Sequence, residues 1–461
     1  MEMKFYGLME AIGMKVTQYL TTAGLEFVTR PVFRSEHMNG ALRVSRTEKT
    51  VTKDFLGFGV ALTGSACYDL ALMEKEERTA LLRDLYAKEG LNLSVGRIPV
   101  GSCDYSAELY TYDDVPGDVS LEHFSIDRDR AYIIPMIREI LEINPDLFLF
   151  ASPWSPPAWM KTGNNICGGF MRDEYVECYA EYIVRFIEEY AKCGIRISAI
   201  TPQNETETHQ HGLMPACIWH PETEAKFVLA LRRKLNERGL DVKIWIYDHN
   251  FDGWERVLWS LESCAGLKDA CDGAAFHYYR GTLESTLAIR EKFPDFPLHF
   301  TEGGPRVTDH YDTDWCKWSM MMSRALNSAY GSFTGWNLML DENGGPNVGP
   351  FLCGGLITRN SVTGALTYSG QSKAFRHISH FMQKGAEVCE VELGTNVPAL
   401  HAYPKTVRPL QVSAFKNPDG TVVYIVVNPA EAKQQVEIVE GGVTYYLECL
   451  PDSLSTVVFE A

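Results

Sequence analysis

The sequence contains no Cys-x-x-Cys pair; its 12 cysteines are scattered, and several, among them Cys178, Cys193 and Cys271, fall in segments that read as helix or strand. This argues against the disulfide framework of an exported protein and for reduced, buried thiols. No run approaches the roughly 18 apolar residues that a membrane-spanning helix needs. The start, Met1 to Glu10, interrupts its apolar residues with charges and shows no small-residue cleavage site. A cytoplasmic chain without a secretory signal or membrane insertion is therefore expected. Positive charge is also scarce: the formal net charge is -17 and no Lys/Arg cluster occurs, so nucleic acid and anionic lipid surfaces are excluded as natural partners. There is no Gly-x-x-x-x-Gly-Lys-Ser/Thr loop, and Gly57-x-Gly59 is followed by Leu62 where a dinucleotide site needs a third glycine, so no cofactor is implied. A neutral small molecule or oligosaccharide fits this composition better, and homo-oligomerisation is left open.

With 461 residues the chain suits either two or three domains or an α/β barrel with an addition. After Asp54, apolar strands alternate with amphipathic helices, the rhythm of βα units. The strands read Phe55 to Ala61, Leu91 to Ile98, Leu147 to Ser152, Ile197 to Pro202, Val242 to Tyr247, Gly273 to His277, Leu298 to Thr301 and Phe333 to Met339. Two helices carry clear boundary signals. Between Asp173 and Gly194 the apolar stripe Val176, Tyr179, Ile183, Phe186, Ile187 and Tyr190 is framed by a capping aspartate and a left-handed glycine stop. From Pro221 to Arg238 a proline opens the helix and Gly239 closes it. Further helices are expected over 74–89, 130–143, 253–263, 283–293, 314–330 and 371–384. Eight strands each followed by a helix predict a (β/α)₈ TIM barrel, whose active site lies at the C-terminal strand ends.

Beyond Gly385 short alternating segments take over: Gln411 to Phe415, Val422 to Val427, Gln435 to Val439, Val443 to Leu447 and Ser455 to Phe459, separated by turn residues such as Asn417-Pro418-Asp419-Gly420. They predict an appended antiparallel β-sandwich. The N-terminal strands Leu25 to Thr29 and Ala41 to Val44 are expected to join it, since a closed barrel offers them no edge. The expected division is therefore 1–50 with the sandwich, 51–384 as the barrel and 385–461 as the sandwich proper.

The strand ends carry the chemistry. They present Arg97 and Asp104 after the second strand, Trp154 after the third, Asn204 and Glu205 after the fourth, His277 and Tyr279 after the sixth, Glu302 after the seventh, and Trp336 with Asn337 after the eighth. Two carboxylates, aromatic platforms and amides on one rim are what glycosidic bond cleavage requires: one acid protonates the leaving oxygen, the other attacks or stabilises the anomeric carbon, and rings stack on sugar C–H faces. In such a pair Glu302 must stay ionised, with Arg97 or Tyr279 as donors, while Glu205 needs a pKa raised by burial or by its anionic neighbour. His209 and His211 lack a carboxylate at ligand spacing, so no metal is expected. No strand end offers the lysine of a Schiff-base aldolase.

The motifs Gly57-Phe58-Gly59-Val60-Ala61-Leu62-Thr63, Arg97-Ile98-Pro99, Ser102-Cys103-Asp104-Tyr105-Ser106, Ala151-Ser152-Pro153-Trp154-Ser155-Pro156, Gln203-Asn204-Glu205, His277-Tyr278-Tyr279, Thr301-Glu302 and Trp336-Asn337-Leu338 with Gly344-Gly345-Pro346-Asn347 occur in one order. In this the chain resembles the glucosylceramidase-type family 30 glycoside hydrolases. The resemblance implies a retaining exo-β-glycosidase of β-glucosides or related sugars. It assigns Glu205 as acid/base, Glu302 as nucleophile, Asn204 to the sugar 2-hydroxyl, and Asp104, Trp154 and Trp336 to the glycone subsite. It also implies a barrel paired with a sandwich drawn from both chain ends. The alternatives are a β-xylosidase, a β-fucosidase, an endo-β-1,6-glucanase or xylanase, and, from another class, a non-catalytic carbohydrate-binding protein. The loop from Thr206 to Trp219 matches no recognisable pattern.

Overall fold

The computed structural model describes residues 15–35, 41–395 and 410–460. The chain forms two units, one of residues 56–314 and 330–372, the other of residues 1–55, 315–329 and 373–461.

The first unit contains a closed barrel of eight parallel strands. In chain order these are β1 (Phe58–Ala61), β2 (Val95–Val100), β3 (Phe148–Pro153), β4 (Ala199–Ile200), β5 (Lys243–Asn250), β6 (Gly273–His277), β7 (Leu298–Glu302) and β8 (Phe333–Gly335). β1 pairs with both β8 and β2, and β4 with both β3 and β5, which closes the ring. The glycines of the first motif are required by proximity: a Cβ on Gly59 would lie 1.9 Å from the Val95 carbonyl oxygen, so only glycine lets β1 approach β2 this closely.

All eight expected strands exist, with shifted ends. β2 starts at Val95 rather than Leu91, and β4 keeps only two residues of its expected segment. β5 runs three residues past Tyr247. The helix Val176–Lys192 follows a 3-10 turn, Asp173–Tyr175, so Asp173 does not cap it; its carboxylate accepts instead from Thr223 Oγ1 (2.7 Å) and Lys226 Nζ. Gly194 takes the left-handed stop at φ 80°, and Pro221 opens the helix Pro221–Glu237 as its residue types dictate. The expected helix over 283–293 is a 3-10 turn, Leu283–Leu287, leading into one short turn of α-helix, Ala288–Lys292.

In the second unit ten strands form one hydrogen-bonded ladder, to which both chain ends contribute. Lys15–Thr22 pairs with Ser453–Glu460, and Leu42–Thr52 pairs with Glu387–Thr395. The sandwich is not wholly antiparallel, because Leu42–Thr52 runs parallel to Gln434–Glu440. Its core gathers Val44, Tyr424, Val436, Ile438, Leu447 and Phe459.

Val422–Asn428 is buried on both faces rather than alternating. The helix Trp315–Asn327 explains this by covering the sheet. Ser413 Oγ donates to Ser323 Oγ (3.1 Å), Asn327 Nδ2 to the Val412 carbonyl (2.8 Å), and Trp315 Nε1 to the Asp452 carbonyl (3.2 Å). That helix and residues 373–384, expected in the barrel, thus belong to the sandwich unit.

Candidate active site

Two β-bulges build the centre of the site. Where β5 pairs with β6, Tyr247 faces Ala275 and His249 faces Phe276, so Asp248 is an extra residue; its φ is 53° and that of Tyr247 is 77°. Where β6 pairs with β7, Phe276 faces Phe300 and His277 faces Glu302, leaving Thr301 as the extra residue. A bulge re-aims side chains that a regular strand would send to the other face. The two bulged residues meet, Thr301 Oγ1 donating to Asp248 Oδ1 at 2.7 Å.

Asp248 is the hub. Its Oδ1 also faces His277 Nε2 (3.0 Å), while Oδ2 accepts from Arg97 Nη2 (2.9 Å), Ser152 Oγ (2.8 Å) and Thr201 Oγ1 (2.7 Å). Burial pushes its pKa up, but the charges of Arg97 and His277 and these donors outweigh burial and hold it far below the usual carboxylate range.

Arg97, fully buried, spreads its remaining donors over the site: Nη1 to Glu302, Nη2 to Asn204 Oδ1 (2.7 Å) and Nε to Ser152 Oγ (3.1 Å). Its guanidinium also sits 4.8 Å from the Trp154 ring centre and 5.5 Å from that of Trp336, and the two indoles stack at 5.2 Å. The second oxygen of Glu302 accepts from Tyr279 Oη at 2.8 Å. Burial, then the Glu302 charge, raises the Tyr279 phenol well above its ordinary pKa, so it remains a donor.

Glu205 has φ 54°, a conformation that non-glycine residues adopt at some cost and that clusters at functional sites. Its carboxylate faces His277 Nδ1 (3.4 Å) and accepts from Gln210 Nε2. Gln210 is delivered by the loop after β4, which closes on itself where the Trp219 backbone N–H meets the Thr206 carbonyl (2.9 Å). Burial raises the Glu205 pKa, yet His277, His249 and Gln210 together bring it below the ordinary value. This corrects the expectation of a raised pKa at rest. The proton sits on His277 instead: burial disfavours its charge, but Glu302, Asp248 and Glu205 raise its pKa to about 9.

His277 is therefore expected to make stability depend on pH. Its folded pKa lies above the ordinary 6.5, so its contribution is whole below about pH 6.5 and is lost as pH rises through about 9. Denaturant midpoints across that range should show the advantage of wild type over His277→Gln shrinking with pH; a constant difference would contradict the assignment.

A cavity of about 920 Å³, near the top of the about 300–1,000 Å³ range of small-molecule sites, opens over this centre. Of the nine expected site residues, Asp104, Trp154, Asn204, Glu205, Tyr279, Glu302 and Trp336 line it. Arg97 and His277, both without exposure, lie behind that surface. The strand-end candidate His277 stands between the carboxylates and Asp248, where it can hold a proton. Asp104 is buried with Oδ1 unpartnered, and burial, then the charges of Glu302 and Glu205, raises its pKa well above the ordinary value. It can thus meet a hydroxyl as donor and acceptor.

One carboxylate oxygen each of Glu205 and Glu302 and one ring nitrogen of His277 lie within 4.8 Å of one another. Among the described residues they are the one grouping with metal-ligand spacing, while His209 and His211, with ring centres 5.7 Å apart, belong to none. Asp248, His249 and Gln210 escaped the sequence reading. The first two follow directly on the apolar run of β5, so a polar triplet at the fifth strand end was the available signal; Gln210, in an irregular loop, offered none.

The family model described as the glycosyl hydrolase family 30 TIM-barrel domain matches residues 55–383, and that of the family 30 β-sandwich domain matches residues 400–457. The chain belongs to glycosyl hydrolase family 30. It is a glycoside hydrolase, and the non-catalytic alternative falls away. Among its relatives is an endo-1,6-β-D-glucanase of Neurospora crassa, 30% identical over 72% of this chain and 71% of the relative. The lysosomal acid glucosylceramidase of Mus musculus is 29% identical over 87% of this chain and 81% of its own length. Among solved structures, SrfJ from Salmonella typhimurium superposes with a TM-score of 0.86 at 26% identity, covering 97% of this chain and all of that one. Among the described residues no helix is long and apolar enough to cross a membrane.

Proposed function

We propose that this family 30 enzyme is a retaining β-glycosidase acting on β-glucosides or closely related sugars through a covalent glycosyl-enzyme intermediate. The observation that carries the reading is the carboxylate spacing. One oxygen of Glu205 and one of Glu302 lie within 4.8 Å of each other, which suits the about 5–5.5 Å of retaining pairs better than the about 6.5–9.5 Å that inversion needs to admit water.

In the first step a Glu302 oxygen forms a bond to the anomeric carbon as the bond to the leaving oxygen breaks, and Glu205 gives that oxygen a proton. The proton comes from His277 Nδ1, 3.4 Å from Glu205 Oε1. Once Glu302 is an ester its negative charge is gone. Glu205, again a carboxylate, takes a proton from water, whose oxygen attacks the anomeric carbon and releases Glu302, and Glu205 passes that proton back to His277 Nδ1 to restore the starting state. Throughout, the Asn204 Nδ2 group is available to a sugar hydroxyl because Arg97 occupies Oδ1.

The step-wise roles predict a leaving-group signature. Glu205→Gln should lower kcat/KM by about 10²–10⁴-fold on glycosides with poor leaving groups and far less on dinitrophenyl β-glucoside, which departs without acid assistance. Equal losses on both would refute the assignment. A single NMR time course recording the anomer first released by wild type tests retention itself: β-configured product supports it and α-configured product overturns it.

An endo-acting reading has its own support in the size of the cavity and in the endo-1,6-β-D-glucanase relative. Release of oligosaccharides rather than monosaccharide from a β-1,6-glucan would favour it over exo action. We also propose a cytoplasmic location, supported by the 12 unpaired cysteines; recovery in the secreted fraction would count against it.

A further inference from the structure

The cavity continues beyond the carboxylates onto the C-terminal end of β5. The glycone candidates Asp104, Trp154 and Trp336 follow β2, β3 and β8, on one arc of the barrel, whereas β5 lies on the opposite arc between β4 and β6. On that second wall three buried polar atoms make no hydrogen bond: His249 Nδ1, which lies 3.8 Å from Glu207 Oε2, Asn250 Oδ1 and Arg256 Nε. His249 is 8% exposed and Asn250 6%, and all three residues line the cavity. A desolvated polar atom without a partner is destabilising, so buried groups of this kind are rare unless something that binds there satisfies them. Three in one cavity wall call for a ligand.

Their position tells which part of the ligand they meet. His249 Nε2 is 3.9 Å from Glu205 Oε1, beside the group that protonates the leaving oxygen, so the wall faces the leaving group. Their chemistry tells what kind. Arg256 Nε donates, Asn250 Oδ1 accepts, and burial lowers the His249 pKa so that its neutral ring offers one of each. A hydroxyl both donates and accepts, and a ring of hydroxyls matches such a set. An alkyl chain would bury the same atoms unsatisfied.

We propose that His249, Asn250 and Arg256 form a leaving-group subsite for a second sugar, so that the substrate is a β-linked disaccharide or oligosaccharide rather than a glycolipid. The proposal rests on the reading of Glu205 as the acid. Arg256 is held by Glu224 through Nη2 (2.7 Å), which keeps it in the wall and leaves Nε for the ligand.

The test measures kcat/KM of the full-length enzyme on β-linked glucose disaccharides, on an aryl β-glucoside and on glucosylceramide in detergent micelles. Wild type is expected to cleave at least one disaccharide faster than glucosylceramide. Asn250→Leu and Arg256→Met are each expected to lower the ratio of disaccharide to aryl-glucoside turnover by about tenfold or more, with the aryl glucoside reporting that the variant is folded. Faster cleavage of glucosylceramide than of any disaccharide, or ratios that neither variant moves, would overturn the subsite while leaving glycosidase action intact. Failure to hydrolyse any aryl β-glucoside, xyloside, fucoside or galactoside would instead overturn the functional reading, and the subsite with it.

Discussion

Glu302→Ala is expected to lower kcat/KM on an aryl β-glucoside by on the order of 10⁴-fold or more, because it removes the carboxylate proposed as nucleophile. The carboxylate is held from two sides, by Arg97 Nη1 and by Tyr279 Oη at 2.8 Å. Its backbone is registered against His277 across β6 and β7. The substitution leaves Arg97 paired with Asp248 and Asn204, so the variant should fold and still bind sugar. A small anion should then restore turnover: azide fits the vacated volume, attacks the anomeric carbon from the nucleophile's side and gives an α-glycosyl azide from a β-glycoside. Wild-type turnover in the variant would sink the double-displacement reading. A β-configured azide product would sink the placement of Glu302 beneath the α face.

Asp248→Asn is expected to have the largest effect on stability of any single change in the site. Asp248 is fully buried and serves Arg97, His277, Ser152, Thr201 and Thr301 at once. Asparagine keeps the shape but presents an N–H₂ where the site offers only donors, and removing one partner of a buried ion pair costs about 3–5 kcal/mol. Chemical denaturation should show a loss of that size. Activity should fall as well, by about 10²-fold, since the Arg97 and His277 that orient the two glutamates lose their common anchor. A readout that packing alone would not move separates the two effects. Burial opposes the His277 charge, which Glu302, Asp248 and Glu205 uphold, so an NMR titration of the imidazole should move down from about 9 in the variant. An unmoved titration would show that Asp248 is merely structural.

Much of the fold was legible because its signals are local. The apolar runs and the helical stripes between them placed all eight barrel strands, and Pro221 and Gly194 marked helix boundaries that the structure keeps. The misses have a common physical origin in contacts between residues far apart in sequence. The stripe of Trp315–Asn327 announces an amphipathic helix but not its partner, and it packs on the sandwich sheet. The parallel pairing of Leu42–Thr52 with Gln434–Glu440 joins segments from opposite ends of the chain. The strand-end rule found ten residues, seven of which line the cavity. It passed over the fifth strand because β5 was taken to stop at Tyr247, three residues before its end.

The sequence by itself determined the architecture and the family and singled out the two glutamates as candidates, since strand period, strand-end position and motif order are all written along the chain. Only the tertiary structure decided which of Glu205 and His277 favours the proton. A regular strand alternates its side chains, and nothing in the residue order near Asp248 or Thr301 announces the extra residue that breaks the alternation in β5 and β7. Those two bulges bring Asp248 under His277, set His277 between Glu205 and Glu302, and so place the proton on the imidazole and not on Glu205. Electrostatics depends on distances in space, and these distances exist only once the barrel has closed.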